Sequence, residues 1–213
     1  MSMGVKDREK FSVVISEISS KIPAEGITLE ALLNIIGERG LFMSCMILTA
    51  PFLLPVDIPG SSIPFGSAIF LISSDIIFSK PILIPKRLMK FKISKKDLET
   101  ILKQISRILK PIEEKFIATR LCFLTKGRKI ERFNGVVIAF GAVLLVTPII
   151  APLGDFLPSY GILFVSLGNL ENDGALVIVG YLTIIATTIY YVLIFAVGIA
   201  IIIFILSHLG IHF

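Results

Sequence analysis

The spacing of apolar positions changes several times along this chain, and each change predicts a different element. Near the start, Phe11, Val14, Ile15 and Ile18 recur at helical spacing, and so do Leu29, Leu32, Leu33 and Ile36. Pro23 and Gly26 punctuate between them, and Thr28 stands where it can cap the second helix. The pattern predicts two short amphipathic helices, lying on a membrane surface or against the rest of the protein. From Gly40 the polar positions thin out. LFMSCMILTAPFLLPV, residues Leu41 to Val56, would span about 24 Å as a helix, short of a hydrocarbon layer of about 30 Å. Pro51 and Pro55 remove two backbone donors and bend or end that helix. After the polar corner DIPGSS, a second apolar run starts near Pro64 and fades by Ser79. Two half-length helices around a Pro/Gly corner predict a hairpin that dips into a membrane and returns.

The middle of the chain reads differently. PILIPKRLMKFK, Pro81 to Lys92, gives a proline-set exit with Lys86 and Arg87 at an interface. Leu98, Ile101, Leu102, Ile105, Ile108 and Leu109 then form one apolar stripe, with Lys95, Lys96, Lys103 and Arg107 away from it. Ser94 can cap this helix and Pro111 limits it. A basic amphipathic helix of this kind lies at lipid headgroups or packs as an ordinary soluble helix, and the sequence leaves both open. From Gly135 the apolar pattern resumes as VVIAFGAVLLVTPIIAP, a GDF corner and LPSYGILFVSLGNL. Glu171 and Asp173, in the turn that follows, are placed to cap the helix from Gly174 rather than to do acid–base work. Residues 175–207 carry no charge and predict a transmembrane helix, one long tilted rod or two pieces bent near Gly198.

The two apolar breaks resemble each other. Pro51 and Pro55 match Pro148 and Pro152 as P-x-x-x-P, Thr49 and Thr147 precede them, and Asp57 and Asp155 follow. Pro64 matches Pro158 where the returning helix begins, and Gly66 matches Gly161. The expectation is an internal repeat in a single membrane domain spanning the whole chain. Repeat 1 covers about 28–80, a basic cytoplasmic segment 81–132, repeat 2 about 133–174, and the spanning helix 175–207. The fold class is an all-α integral membrane protein: two broken helical hairpins, amphipathic interfacial helices and a C-terminal transmembrane helix.

Composition agrees with that class. Of 213 residues, 54% are apolar and only 17% charged, outside the range of ordinary soluble domains. Met1 to Lys10 is polar and has no signal-peptide core. Every lysine and arginine falls between Lys6 and Arg39 or between Lys80 and Arg132, with none afterwards. Positive flanks mark the cytoplasmic side, so both blocks are expected there and the segment between them returns to the side it left. The last helix would then end in the periplasm. Anionic lipid explains the basic face without nucleic acid.

Chemistry is sparse. Cys45 and Cys122 form no disulfide or zinc pattern and read as small apolar filler. His208 and His212 are spaced i, i+4 but lack the further ligands of a zinc enzyme. Neither a nucleophile elbow nor a nucleotide-binding fingerprint is present, so no enzyme activity, metal or cofactor is expected. What stands out is polarity at the breaks: Asp57, Ser61 and Ser62 in the first, Asp155 and Ser159 in the second. Broken backbone at membrane depth persists only where protein or water satisfies it, and paired broken helices build transporter binding sites. The other reading is that the corners are plain interfacial turns.

LLPVDIPGSSIPFG, KPILIPKRL and LPSYGILFVSLGNLENDG together resemble the ExoD family of bacterial exopolysaccharide-synthesis membrane proteins. Pro55, Pro59, Gly60, Ser61 and Ser62 fit that family's corner, and Pro81, Pro85, Lys86, Arg87 and Leu88 fit its exit. Pro158, Gly168, Asp173 and Gly174 fit its last run. The chain departs from the pattern at Asp75, where glutamine is expected, and at Asp155, where asparagine is expected. The resemblance covers roughly Thr28 to Tyr190. It implies a multi-pass bacterial inner-membrane protein with a role in exopolysaccharide production, and it brings no catalytic residues. Within that role two functions stand: a small transporter of an ion or solute with its site at the corners, or a non-transporting accessory protein for polysaccharide-assembly enzymes. The expected partners are the bilayer, a second copy of the chain and those assembly proteins.

Overall fold

The computed structural model describes residues 27–28, 30–31, 40–53, 62–79, 90, 92–93, 121–147 and 153–208, with side chains in the last helix as far as Ile201. A two-residue antiparallel ladder pairs β1 (Ile27–Thr28) with β2 (Lys92–Ile93) and ties the start of the chain to its middle block. The Thr28 hydroxyl accepts a hydrogen bond from Ala31 N at 3.2 Å, the capping contact its position predicts. The helices expected over 11–18 and 94–110 lie outside the described residues.

Among the described residues, five longer helices carry the fold. α1 (Leu41–Thr49) ends where Pro51 withholds a donor, and the chain tightens into a 3₁₀ turn over Ala50–Phe52. α2 (Ser62–Phe78) fills the second predicted apolar run almost residue for residue. α3 (Arg128–Val146) begins in the basic segment and runs into apolar sequence. α4 (Phe156–Glu171) ends at Asn172 in the left-handed conformation, with Asp173 N bonded to Gly168 O at 2.8 Å in a Schellman-type close. α5 (Gly174–His208) is one continuous helix of 35 residues, about 52 Å long. Asp173 caps it, its carboxylate accepting from Ala175 N at 2.8 Å.

α1 packs on α2 and on α4, while α3 packs on α2 and on α4, so the four make a ring. α5 lies along the outside of α4. Glycines set the close approaches. A Cβ on Gly66 would stand 2.5 Å from Val146 Cγ2, and one on Gly135 would meet Ile76 at 3.0 Å, so α2 and α3 run antiparallel in close contact. Gly168 approaches Val177 and Gly180 approaches Val165 in the same way between α4 and α5. The core inside the ring centres on the fully buried Met46, Ile47, Leu48, Ile69, Ile138 and Leu145, with Ser44, Ser73 and Ser166 among the buried polar residues.

Two ends follow from these pairings. At one, Gly174 abuts Leu121, beside the exposed Lys126, Arg128, Lys129 and Arg132. At the other, the start of α2 meets the end of α3, so the first Pro-rich break leaves the bundle beside the point where the second begins. α3 and α5 run parallel, with residues 47 apart at equal height: Asn134 meets Tyr181 and Leu144 meets Tyr191.

Candidate functional site

The second break is the better described. The chain leaves α3 at Thr147, whose hydroxyl turns back to Val143 O at 2.8 Å. It returns through Leu153, held at φ +67, then Gly154 and Asp155. A left-handed leucine is sterically costly, so surrounding contacts must hold this corner in place. Tyr191, midway along α5, supplies one. Its side chain is buried, and its hydroxyl donates to Gly154 O at 2.6 Å with Leu144 O at 3.3 Å. The Asp155 carboxylate is near enough to Tyr191 to act on it electrostatically. Ser159 is fully buried in the first turn of α4, and its hydroxyl donates to Asp155 O at 2.6 Å. Pro158 sits beside it, where a missing N–H costs a helix nothing.

Of the first break, Pro51 lies in the 3₁₀ turn and Ser62 opens α2, both half-buried. Phe52 and Phe65 meet edge to face across it at 5.7 Å, and the 3₁₀ turn packs against α4. Pro55, Asp57, Pro59, Gly60 and Ser61 lie outside the described residues, as do Pro148 and Pro152 of the second break. So do Lys86, Arg87, Lys95, Lys96, Lys103 and Arg107. The structure therefore joins Asp155, Ser159, Leu144 and Tyr191 into one corner and brings its α3 edge to the start of α2.

A second polar cluster sits at the basic end. Asn134 is fully buried; its amide donates to Asn169 Oδ1 at 2.8 Å and to Leu124 O at 3.0 Å, and its oxygen accepts from the Tyr181 hydroxyl. Asn169 in turn donates to Val165 O at 2.7 Å. α3, α4, α5 and the segment before α3 are thereby pinned by one nearly saturated amide. Neither Tyr191 nor this trio stands out in the sequence. Each is a single polar residue in an apolar run, and only tertiary pairing gives it a partner. Among the described residues no group of three or more His, Cys, Asp or Glu side chains converges on a metal site.

The described residues thus define a helical protein, with one two-residue ladder, whose last helix, over Gly174–Ile201, is long and apolar enough to cross a membrane. It belongs to the ExoD family, for the family described as "Exopolysaccharide synthesis, ExoD" matches residues 11–193. The chain is 38% identical over 185 residues to Protein ExoD of Rhizobium meliloti (strain 1021), covering 86% of this chain and 77% of that one. No solved structure matches it.

Proposed function

We propose that this chain is a bacterial inner-membrane protein of exopolysaccharide production whose two proline-broken hairpins enter the membrane from the basic side and meet near its middle, forming the polar centre of a small transporter. The observation that carries this reading is the bond from Tyr191 to Gly154 O. On α3 the last charge is Arg132, level with Val179 of α5 by the 47-residue register. A hydrocarbon layer of about 30 Å starting there needs about 20 residues and ends near Ile199. Tyr191 lies about 18 Å along that path, close to the midplane. The corner it holds has the same depth.

Other features agree. Phe133, Val136, Phe140 and Val143 on α3, with Val179, Leu182, Ile185 and Ile189 on α5, form an exposed apolar band larger than soluble surfaces tolerate. Hydroxyls along the helices turn back to their own backbone: Ser73 and Ser74 to Phe70 O, Thr183 to Val179 O, Thr187 to Thr183 O. Where no water reaches, helical hydroxyls are satisfied in this way. The ring contacts also suit a duplicated unit, since exchanging α1 with α3 and α2 with α4 maps the α1–α4 packing onto α2–α3. A carboxylate at this depth needs water or a counter-charge, so Asp155, with Asp57 assigned to the matching corner, is the group a coupling ion or solute would meet. The reading assigns no catalytic step.

The test uses single thiols at exposed corner positions, Ile63→Cys and Leu153→Cys, with Cys122 replaced by serine and Cys45 left in its fully buried place. In proteoliposomes, a fluorophore on either thiol should be quenched best by lipids labelled near the end of the acyl chain. A small impermeant thiol reagent should reach the sites at rates that change with pH or solute. Best quenching by headgroup-labelled lipids, with full-rate labelling from one side under every condition, would place both corners at an interface. The accessory-protein reading would then replace this one.

A further inference from the structure

A groove of about 510 Å³ runs between α3 and α5, lined by Phe133, Val136 and Phe140 on one side and Tyr181, Ile185 and Ile189 on the other. Its wall offers no free polar atom of note: Thr188, which also lines it, spends its hydroxyl on Ile184 O, and the Tyr181 hydroxyl is spent on Asn134. Where the groove begins, Phe133 and Tyr181 meet edge to face at 5.6 Å. From Tyr181 to Ile189 it extends about 12 Å. In the membrane frame above, that is nearly the depth of one leaflet, ending close to the Tyr191 corner.

The charges just above it are specific in placement. Lys129 precedes Phe133, Val136 and Phe140 by four, seven and eleven residues, which puts it on the groove-facing stripe of α3. Arg132 precedes Val136 by four. Both are exposed, and helical side chains lean toward the N-terminus, carrying these cations up to headgroup level above the groove. Arg128 and Glu131 fall on other faces.

We infer that this groove holds one acyl chain of an anionic phospholipid from the basic-side leaflet, with the lipid phosphate on Lys129 and Arg132. The inference rests on the proposal that the bundle enters the membrane from its basic end. The bound lipid fills the open side of a seam that α3 and α5 already close through the Phe133–Tyr181 rings, the buried cluster of Leu144, Ile184 and Tyr191, and the bonds of Asn134 with Tyr181 and of Tyr191 with Leu144. It also reaches the flank of the broken corner, so its presence would bear on how firmly that corner is held.

The experiment is native mass spectrometry of the full chain in detergent, exchanged against phosphatidylglycerol or phosphatidylcholine of identical acyl chains. The wild type should keep one phosphatidylglycerol with a preference of roughly tenfold or more over phosphatidylcholine, as two cations at an anionic headgroup would give. Lys129→Gln with Arg132→Gln should abolish the preference. Ile185→Trp, which fills an exposed stretch of the groove, should lower retention of both lipids. Arg128→Gln should change neither. Equal retention of the two lipids by the wild type, or loss with Arg128→Gln as large as with the double variant, would overturn the assignment. Lipid retention is read in detergent and is independent of corner depth, so it and the quenching experiment can fail separately.

Discussion

The two halves of α5 are both uncharged apolar helix, yet they have opposite surroundings. From Gly174 to Tyr191 the helix is built into the bundle: Val177, Gly180, Ile184, Thr187 and Tyr191 are buried, and a Cβ on Gly180 would strike Val165 Cγ2 at 2.5 Å and Val165 N at 2.7 Å. From Val192 to Ile201 no residue is buried, and Gly198 has nothing within 4 Å of where a Cβ would stand. Both halves pass as one apolar span by length and composition, which does not show that only the first is packed. What separates the halves is that α4 turns away at the corner that Tyr191 holds, so the bundle ends halfway along the helix. The glycines record the same boundary. One is there because two backbones nearly touch; the other is an open position in an apolar rod.

The strongest way to break the comparison is to add one methyl group to each glycine. Gly180→Ala places its Cβ against the Val165 backbone, which cannot move aside as a flexible side-chain tip would. Overpacking of this kind costs about 3 kcal/mol or more, and α4 should separate from α5. Gly198→Ala should be neutral or slightly stabilising, by up to about 1 kcal/mol, because alanine favours the helix. Unfolding of the two variants in detergent, followed by circular dichroism, decides it. Equal losses would mean that the half beyond Tyr191 is packed after all.

Next in size is the amide that pins the basic end. Asn134→Ala strands the Tyr181 hydroxyl, Asn169 Oδ1 and Leu124 O together, for a loss of about 3 kcal/mol on the same unfolding assay. Thr183→Ala, two residues along α5 from Tyr181 but bonded only to its own backbone, should change stability by less than about 0.5 kcal/mol. Tyr191→Phe removes a single hydroxyl and leaves Gly154 O without it, for about 1–2 kcal/mol. Its sharper signature is local: a thiol at Leu153 should react faster once the corner is released. A Tyr191→Phe chain whose corner thiol reacts at the unchanged rate would mean that other contacts hold the break.

These contrasts also show which parts of the molecule were legible beforehand. α1 stops where Pro51 takes away a donor, and α2 runs from Ser62 to Phe78 as its apolar run predicts, because proline and hydrophobic length act within one turn of chain. Thr28 and Asp173 cap as their positions imply, for the same local reason. α5 could be recognised as apolar and long, but its division at Tyr191 could not. A tyrosine in an apolar run looks like an interfacial aromatic until a carbonyl from 37 residues away is found beneath its hydroxyl. Asn134 and Asn169 are hidden likewise, each an isolated amide whose partner lies on another helix. The polar site expected at the corners is only half placed. Asp155 and Ser159 share a corner with Tyr191, whereas Asp57 and Ser61 lie outside the described residues.

The smallest effect tests the lone half itself. If Val192, Val197, Ile199 and Ile201, all exposed, meet only lipid, replacing them together by leucine keeps the same apolar contact with acyl chains. Stability should then stay within about 0.5 kcal/mol, and the mass of the particle in detergent should not change. Lipid tails are as apolar as leucine and have no fixed shape, so they do not distinguish one branched side chain from another. A second copy of the chain does, because helix pairs in a membrane depend on close packing around small residues such as Ala196, Gly198 and Ala200. A variant that keeps its fold but falls from a larger particle to a single chain would therefore identify this half of α5 as the surface on which two copies meet. The bundle half, with Gly180 already pressed against α4, would be untouched in either case, since none of the four positions reaches it.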